Sequence, residues 1–293
     1  MRRSSVLTAT APPERLAAFR VALGVFALSY IVLRVPVLLQ LRDRSAGGFA
    51  GVGVLAWLDQ PIDDRLVTGL VVVAIIAGVG FTVGGWFRVA GPVFALATLV
   101  LTTYRSSWGQ LLHFENLMVL HLLIVGFAAS ADAWSIDARR AVRRSTDRDY
   151  ASPLRLSCIV VVVAYVIAGI AKLRYGGTEW IVGDTLRNHI AYSAARLDLL
   201  GGTPSPLARS VVDQAWMLPP MAAASVAIEL AAPLALLGGW WRNGWVIAAW
   251  VMHVAIAALM LVTFPYPLFL VAFLPFFELE RVVPALARTR LLG

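Results

Sequence analysis

Apolar residues gather into eight runs, at about 16–40, 66–87, 90–104, 111–130, 154–173, 219–240, 243–262 and 264–278. Short polar turns separate them, apart from three longer connections at 41–65, 131–153 and 174–218. A helix rising 1.5 Å per residue needs about 20 apolar residues to cross the bilayer hydrocarbon. The pattern therefore predicts an all-α polytopic transmembrane bundle of about eight spans, a single integral membrane domain over residues 1–293. The third and eighth runs are short, and Pro265, Pro267 and Pro275 interrupt the last. Tilted, broken or re-entrant helices there would bring the count to about seven or nine. The 174–218 connection is the one extramembrane stretch large enough to form an extracytoplasmic cap. Within it Thr178 to Leu186 mixes aromatic and polar residues as an interfacial segment does, and Trp180 and Asp184 are its candidates for substrate contact.

Composition excludes a water-soluble enzyme. The 293 residues are 59% hydrophobic and 14% charged, where soluble domains carry about 25% charged residues. The net charge of +8 does not point to nucleic acid, because the basic residues sit beside the apolar runs and act as topology determinants. Arg2, Arg3 and Arg15 precede the first run, and Arg139, Arg140, Arg143, Arg144 and Arg148 crowd the connection after the fourth. By the positive-inside rule both termini are expected in the cytoplasm, in a multi-pass protein of the inner (plasma) membrane whose first partner is the lipid bilayer. Leu16 to Gln40 is too long for the apolar core of a signal peptide, so the first run is expected to remain as a membrane segment. The single cysteine, Cys158, precludes an internal disulfide, and the four scattered histidines have no ligand spacing, so no metal is expected.

Against this background a few polar residues stand out. Lys172 is the only lysine among 25 basic residues. A desolvated lysine can act as a neutral base or nucleophile, whereas arginine stays charged. Its structural alternative is a snorkelling helix end, which Arg174 already supplies. In the fourth run, His113, Glu115, Asn116 and His121 bring polar groups into an apolar segment, an arrangement costly in hydrocarbon that favours a bundle interior. With the orientation above, Lys172 and the His113 to Asn116 turn lie at similar depth and outline an outer-leaflet pocket. Glu229 and His253 each lie about ten residues from the turn at Gly239 to Asn243, which predicts that antiparallel neighbours hold them together near mid-membrane. Such a pair could share a proton, bind a ligand or act as interhelical glue. Ser135 and Asp137 are expected to cap a cytoplasmic amphipathic helix running through Arg148.

Three elements in order resemble the HTTM family, the bacterial relatives of the membrane domain of vitamin K-dependent γ-carboxylase. They are Ala18-Phe19-Arg20-Val21-Ala22-Leu23-Gly24, Trp134-Ser135-Ile136-Asp137-Ala138, and Gly169-Ile170-Ala171-Lys172-Leu173 followed by Glu179-Trp180 and Gly183. Glu229 before Pro233, Arg242, and His253 before Phe264 fit the later helices of that family, so the resemblance covers nearly the whole chain. It implies that Lys172 occupies the position of the lysine base, which takes a proton from a reduced quinone such as vitamin K hydroquinone or menaquinol. Reaction of that quinol with O₂ then yields an epoxide and a strong base. The sequence ends at Gly293 without the carboxylase's extended C-terminal region, so quinone chemistry is expected rather than protein γ-carboxylation.

The leading expectation is thus a quinol oxygenase or related lipid-acting enzyme, with Lys172, His113 and Glu115 catalytic and Asn116, Trp180, Asp184, Glu229 and His253 binding substrate. The alternative is a non-catalytic membrane partner that assembles through the 174–218 cap with an exported or membrane protein. A proton-coupled transporter ranks third, since no inverted repeat is evident.

Overall fold

The computed structural model describes residues 5–109, 113–140 and 148–282. Among these residues every regular element is helical, with no strand. The chain divides into two compact units: one holds Thr10–Ser157 and the segment from Phe277, the other Cys158–Phe276 and the residues up to Ala9.

The first unit is built on α1 (Pro13–Gln40), α2 (Asp64–Val83), α3 (Phe87–Ser106) and α4 (Asn116–Gly126), followed by the short α5 (Ile136–Arg140). Proline opens α1, where a missing N–H costs nothing. Asp63 caps α2 by accepting from the Arg65 amide at 2.9 Å, and Gly84 ends that helix with φ +66°. The cap of α3 comes from far along the chain: Asp137 accepts from the amides of Trp86 and Phe87 at 3.0 and 2.8 Å. Helix α1 packs on α2 and α4, α3 packs on α2 and α4, and α13 (Leu279–Val282) returns to α1. Ile31, Leu38, Val71, Ala74, Leu101 and Tyr104 form its core.

The second unit holds the greater part of α6 (Ala151–Gly176) and then α7 (Glu179–Val182), α8 (Thr185–Leu199), α9 (Pro206–Val212), α10 (Leu218–Leu230), α11 (Gly239–Met260) and α12 (Pro265–Leu268). Helix α11 is its centre, packing on α8, α9, α10, α12 and the 3₁₀ turn Ala232–Leu237. The 174–218 connection is therefore folded as helices α7, α8 and α9 rather than as an open loop.

Among the described residues five helices, α1, α2, α3, α6 and α11, are long and apolar enough to cross a membrane, and a sixth crossing results if the pair Pro206–Val212 and Ala215–Leu230, bent by 89°, is one broken span. The other two apolar runs do not form long helices. In the fourth, a 3₁₀ turn at His113–Glu115 precedes an 11-residue α4. In the eighth, α12 gives way to a 3₁₀ turn at Val271–Phe276, where Pro265, Pro267 and Pro275 deny the backbone its donors. Apolar length alone cannot distinguish an unbroken helix from such segments. Outward-facing Leu33, Ile76, Val89 and Ile167 are exposed, as lipid-facing side chains are. The expected amphipathic helix after Ser135 begins as α5, with Ser135 Oγ accepting from the Ala138 amide at 2.8 Å. Its continuation, and Arg2, Arg3, Arg143 and Arg144 of the charge pattern, lie outside the described residues.

Candidate functional site

Lys172 lies near the end of α6 and Glu229 in the last turn of α10. Their side chains meet, with Nζ donating to Glu229 Oε1 at 2.6 Å and lying 3.5 Å from Ser225 Oγ. The carboxylate side chain is 8% exposed and the lysine 21%, so the ammonium stands at the rim of a buried acid. Glycines open the space on both sides of the lysine. A Cβ at Gly169 would come within 2.9 Å of Leu230 and 3.1 Å of Glu229 Cβ, so glycine permits this approach of α6 to α10. A Cβ at Gly176 would lie 3.1 Å from Trp180 Cβ. Its absence lets α7 fold back, placing the Trp180 ring 5.2 Å from Nζ in cation–π range.

Two turns earlier on the same face of α6, Tyr165 shares a hydrogen bond of 2.7 Å with His253 Nε2 of α11. The Tyr165 ring packs edge-on against Trp245 at 5.0 Å, and Trp245 Nε1 donates to the Ile228 carbonyl at 2.9 Å. The expected facing of Glu229 by His253 thus resolves into two separate pairs, Lys172–Glu229 and Tyr165–His253. The physical reason is reach: lysine carries its ammonium farther than imidazole and supplies the carboxylate with a charged donor. Glu229 Oε2 and His253 Nδ1 remain buried without a hydrogen-bond partner. Asp184 is exposed and lies 3.8 Å from Arg187, one turn along.

Glu115 belongs to the first unit and is held there by its own partners. Its Oε1 accepts from the Tyr30 hydroxyl, meets Arg105 Nη2 at 2.9 Å and lies 4.0 Å from Arg34 Nε. His113 and Asn116 flank it and line a cavity of about 470 Å³ with Thr102, Thr103, Ser106 and Leu123, a volume within the range of small-molecule sites. The lining is drawn wholly from the first unit. His121 is structural: it is fully buried, donates to the Ser157 carbonyl at 3.1 Å and packs edge-on against Phe19.

Sequence reading therefore missed Tyr165, Ser225, Tyr30, Arg34 and Arg105. Tyr165 was detectable as a polar group seven residues before Lys172 on one helix face. Arg34 and Arg105 were detectable as charges inside or at the end of apolar runs.

No curated protein and no solved structure matches the sequence. The pattern of the HTTM domain, a membrane domain of the γ-carboxylase family, spans residues 9–280, and the protein therefore belongs to the HTTM family.

Proposed function

We propose that the protein is a membrane enzyme in which Lys172 takes a proton from a reduced quinone or another lipidic hydroxylated substrate. The observation that carries this reading is the 2.6 Å contact between Lys172 Nζ and Glu229 Oε1. An ammonium ion cannot act as a base, so the lysine must first pass a proton on, and Glu229 is the acceptor within reach. Transfer along this bond converts ammonium and carboxylate into amine and carboxylic acid with no change in net charge. The freed amine then accepts the substrate's hydroxyl proton, and Glu229 releases its own. Arginine could not serve here, because it does not deprotonate. The Trp180 face beside Nζ provides an apolar wall for a ring. With a reduced quinone as substrate, O₂ would be the oxidant, one oxygen atom entering the quinone epoxide and the other leaving as water with the quinol's two hydrogens. The enzyme is proposed to sit in the inner membrane with both termini cytoplasmic.

The test is mass-spectrometric detection of quinone epoxide when purified protein in lipid receives a reduced naphthoquinone and O₂. Wild type is expected to form epoxide and Lys172→Ala to lose it. Equal yields from both would overturn the proposal. A second reading, a non-catalytic partner subunit, draws support from the exposed Tyr192, Leu199, Leu200 and Trp216 of the 174–218 connection. A single stoichiometric protein co-purifying with the chain, without turnover, would select it.

A further inference from the structure

We infer that the first unit carries a binding site for one oxyanion, a phosphate or carboxylate group, formed by Arg34 and Arg105 around Glu115. Arg105 lies in the last turn of α3 with its side chain 8% exposed, and Arg34 lies on α1 at 30%. Glu115, at 2%, is the only acid within ion-pair distance of either among the described residues. Two guanidinium groups facing one carboxylate leave one positive charge uncompensated. Helix ends do not remove it: the carboxyl end of α3 contributes about half a negative charge beside Arg105, and the amino end of α4 about half a positive one beside Glu115.

The hydrogen bonds are as unbalanced as the charges. Among the described residues Tyr30 alone hydrogen-bonds Glu115, at Oε1, and Arg105 Nη2 and Arg34 Nε approach that same oxygen at 2.9 and 4.0 Å as ion-pair contacts. Nε of Arg105 and Nε of Arg34 are buried with no hydrogen-bond partner, and so is the opposite carboxylate oxygen. Rings cover part of the cations, with Arg34 4.2 Å from the Tyr30 centroid and Arg105 5.6 Å from that of Phe114. Aromatic faces stabilise a guanidinium but leave its in-plane donors unused. A buried arginine with spare donors in an apolar setting is costly, and a planar or tetrahedral oxyanion meets the guanidinium fork in a bidentate manner. Arg34 is 30% exposed, and its neighbours on α1, Val32, Leu33 and Val37, are exposed apolar residues, so the cluster is open at its Arg34 edge. The anionic group can therefore arrive on a phospholipid or as a free oxyanion.

Two measurements on the full-length protein test this. In native mass spectrometry from detergent, wild type is expected to retain phosphatidylglycerol in preference to phosphatidylcholine. Arg34→Gln is expected to retain it about tenfold less well, the effect of losing a charge-assisted contact. Glu115→Gln, which increases the positive excess, should hold it at least as well as wild type and controls for any folding defect of Arg34→Gln. In parallel, thermal unfolding is followed against inorganic phosphate. Arg34-dependent protection by phosphate without a preference for phosphatidylglycerol would assign the site to a free oxyanion, and the reverse to a lipid headgroup. If neither probe distinguishes wild type from Arg34→Gln, or if Glu115→Gln weakens both, the inference is wrong.

Discussion

Arg20, fully buried on α1, donates from Nη2 to the main-chain carbonyl of Trp134 at 2.6 Å. Three distant segments meet around this bond, since the Asp137 amide donates to the Gly84 carbonyl at 3.0 Å while the Asp137 carboxylate caps α3. Gly84 has φ +66°, and a Cβ there would overlap the Arg20 guanidinium and Ser135. Gly84→Ala is therefore expected to destabilise the protein by about 2–4 kcal/mol through backbone strain and overpacking together. Gly85 is the control. Its added Cβ would meet nothing closer than 3.7 Å, so Gly85→Ala should leave thermal unfolding in detergent nearly unchanged.

Much of this was visible in the sequence, though with a different meaning. The length of the apolar runs predicted helices at α1, α2, α3, α6 and α11, because long uninterrupted runs admit no other backbone in lipid. It could not predict the breaks, which depend on prolines and on side chains from elsewhere, such as Asp137. The Arg20 and Trp134 to Asp137 elements carried the family resemblance as separate motifs, and only the fold shows that they bind each other. Lys172 and Glu229 were each legible as unusual polar groups in apolar runs. Their pairing was not, because the sequence places Glu229 opposite His253 by counting from a turn, while side-chain length decides which partner reaches it.

The Lys172–Glu229 pair separates charge from basicity. Lys172→Arg keeps a cation beside the carboxylate and should preserve the unfolding temperature to within the effect of a modest repacking, yet abolish the quinol turnover proposed above. Glu229→Gln should lower turnover by about 10²–10⁴-fold, the usual contribution of a positioned proton acceptor, while the substrate's apparent affinity changes little. A Lys172→Arg protein that turns over normally would leave the lysine as a structural cation.

Tyr165 offers a stability test in the same unit. Tyr165→Phe keeps the ring packing against Trp245 but withdraws the hydroxyl from His253, whose Nδ1 already has no hydrogen-bond partner. Leaving a buried imidazole without its remaining bond should cost about 1–3 kcal/mol. The double variant Tyr165→Phe with His253→Leu should recover part of that loss, which thermal unfolding of the four proteins in one detergent would measure.

Acid sensitivity should map to the start of α13. Arg15 grips Glu280 with both arms of its fork, Nη2 to Oε1 at 2.7 Å and Nε to Oε2 at 3.0 Å, and reaches Glu278 at 3.2 Å. Burial by itself raises the Glu280 carboxyl, but the hydrogen bonds and charge of Arg15, with a backbone hydrogen bond and the charge of Arg281, more than reverse this and hold it below the usual carboxylate range. A carboxyl whose folded value is depressed contributes stability that is fully present above its unfolded value, near 4.3, and is lost as the pH falls through the lower folded value. Wild type should therefore lose unfolding temperature as the pH drops below about 4.3. Glu280→Gln should start lower at neutral pH and lose less on acidification, because the contribution from protonating position 280 is gone. Parallel acid profiles for the two proteins would show that the Arg15 contact makes no net contribution to stability.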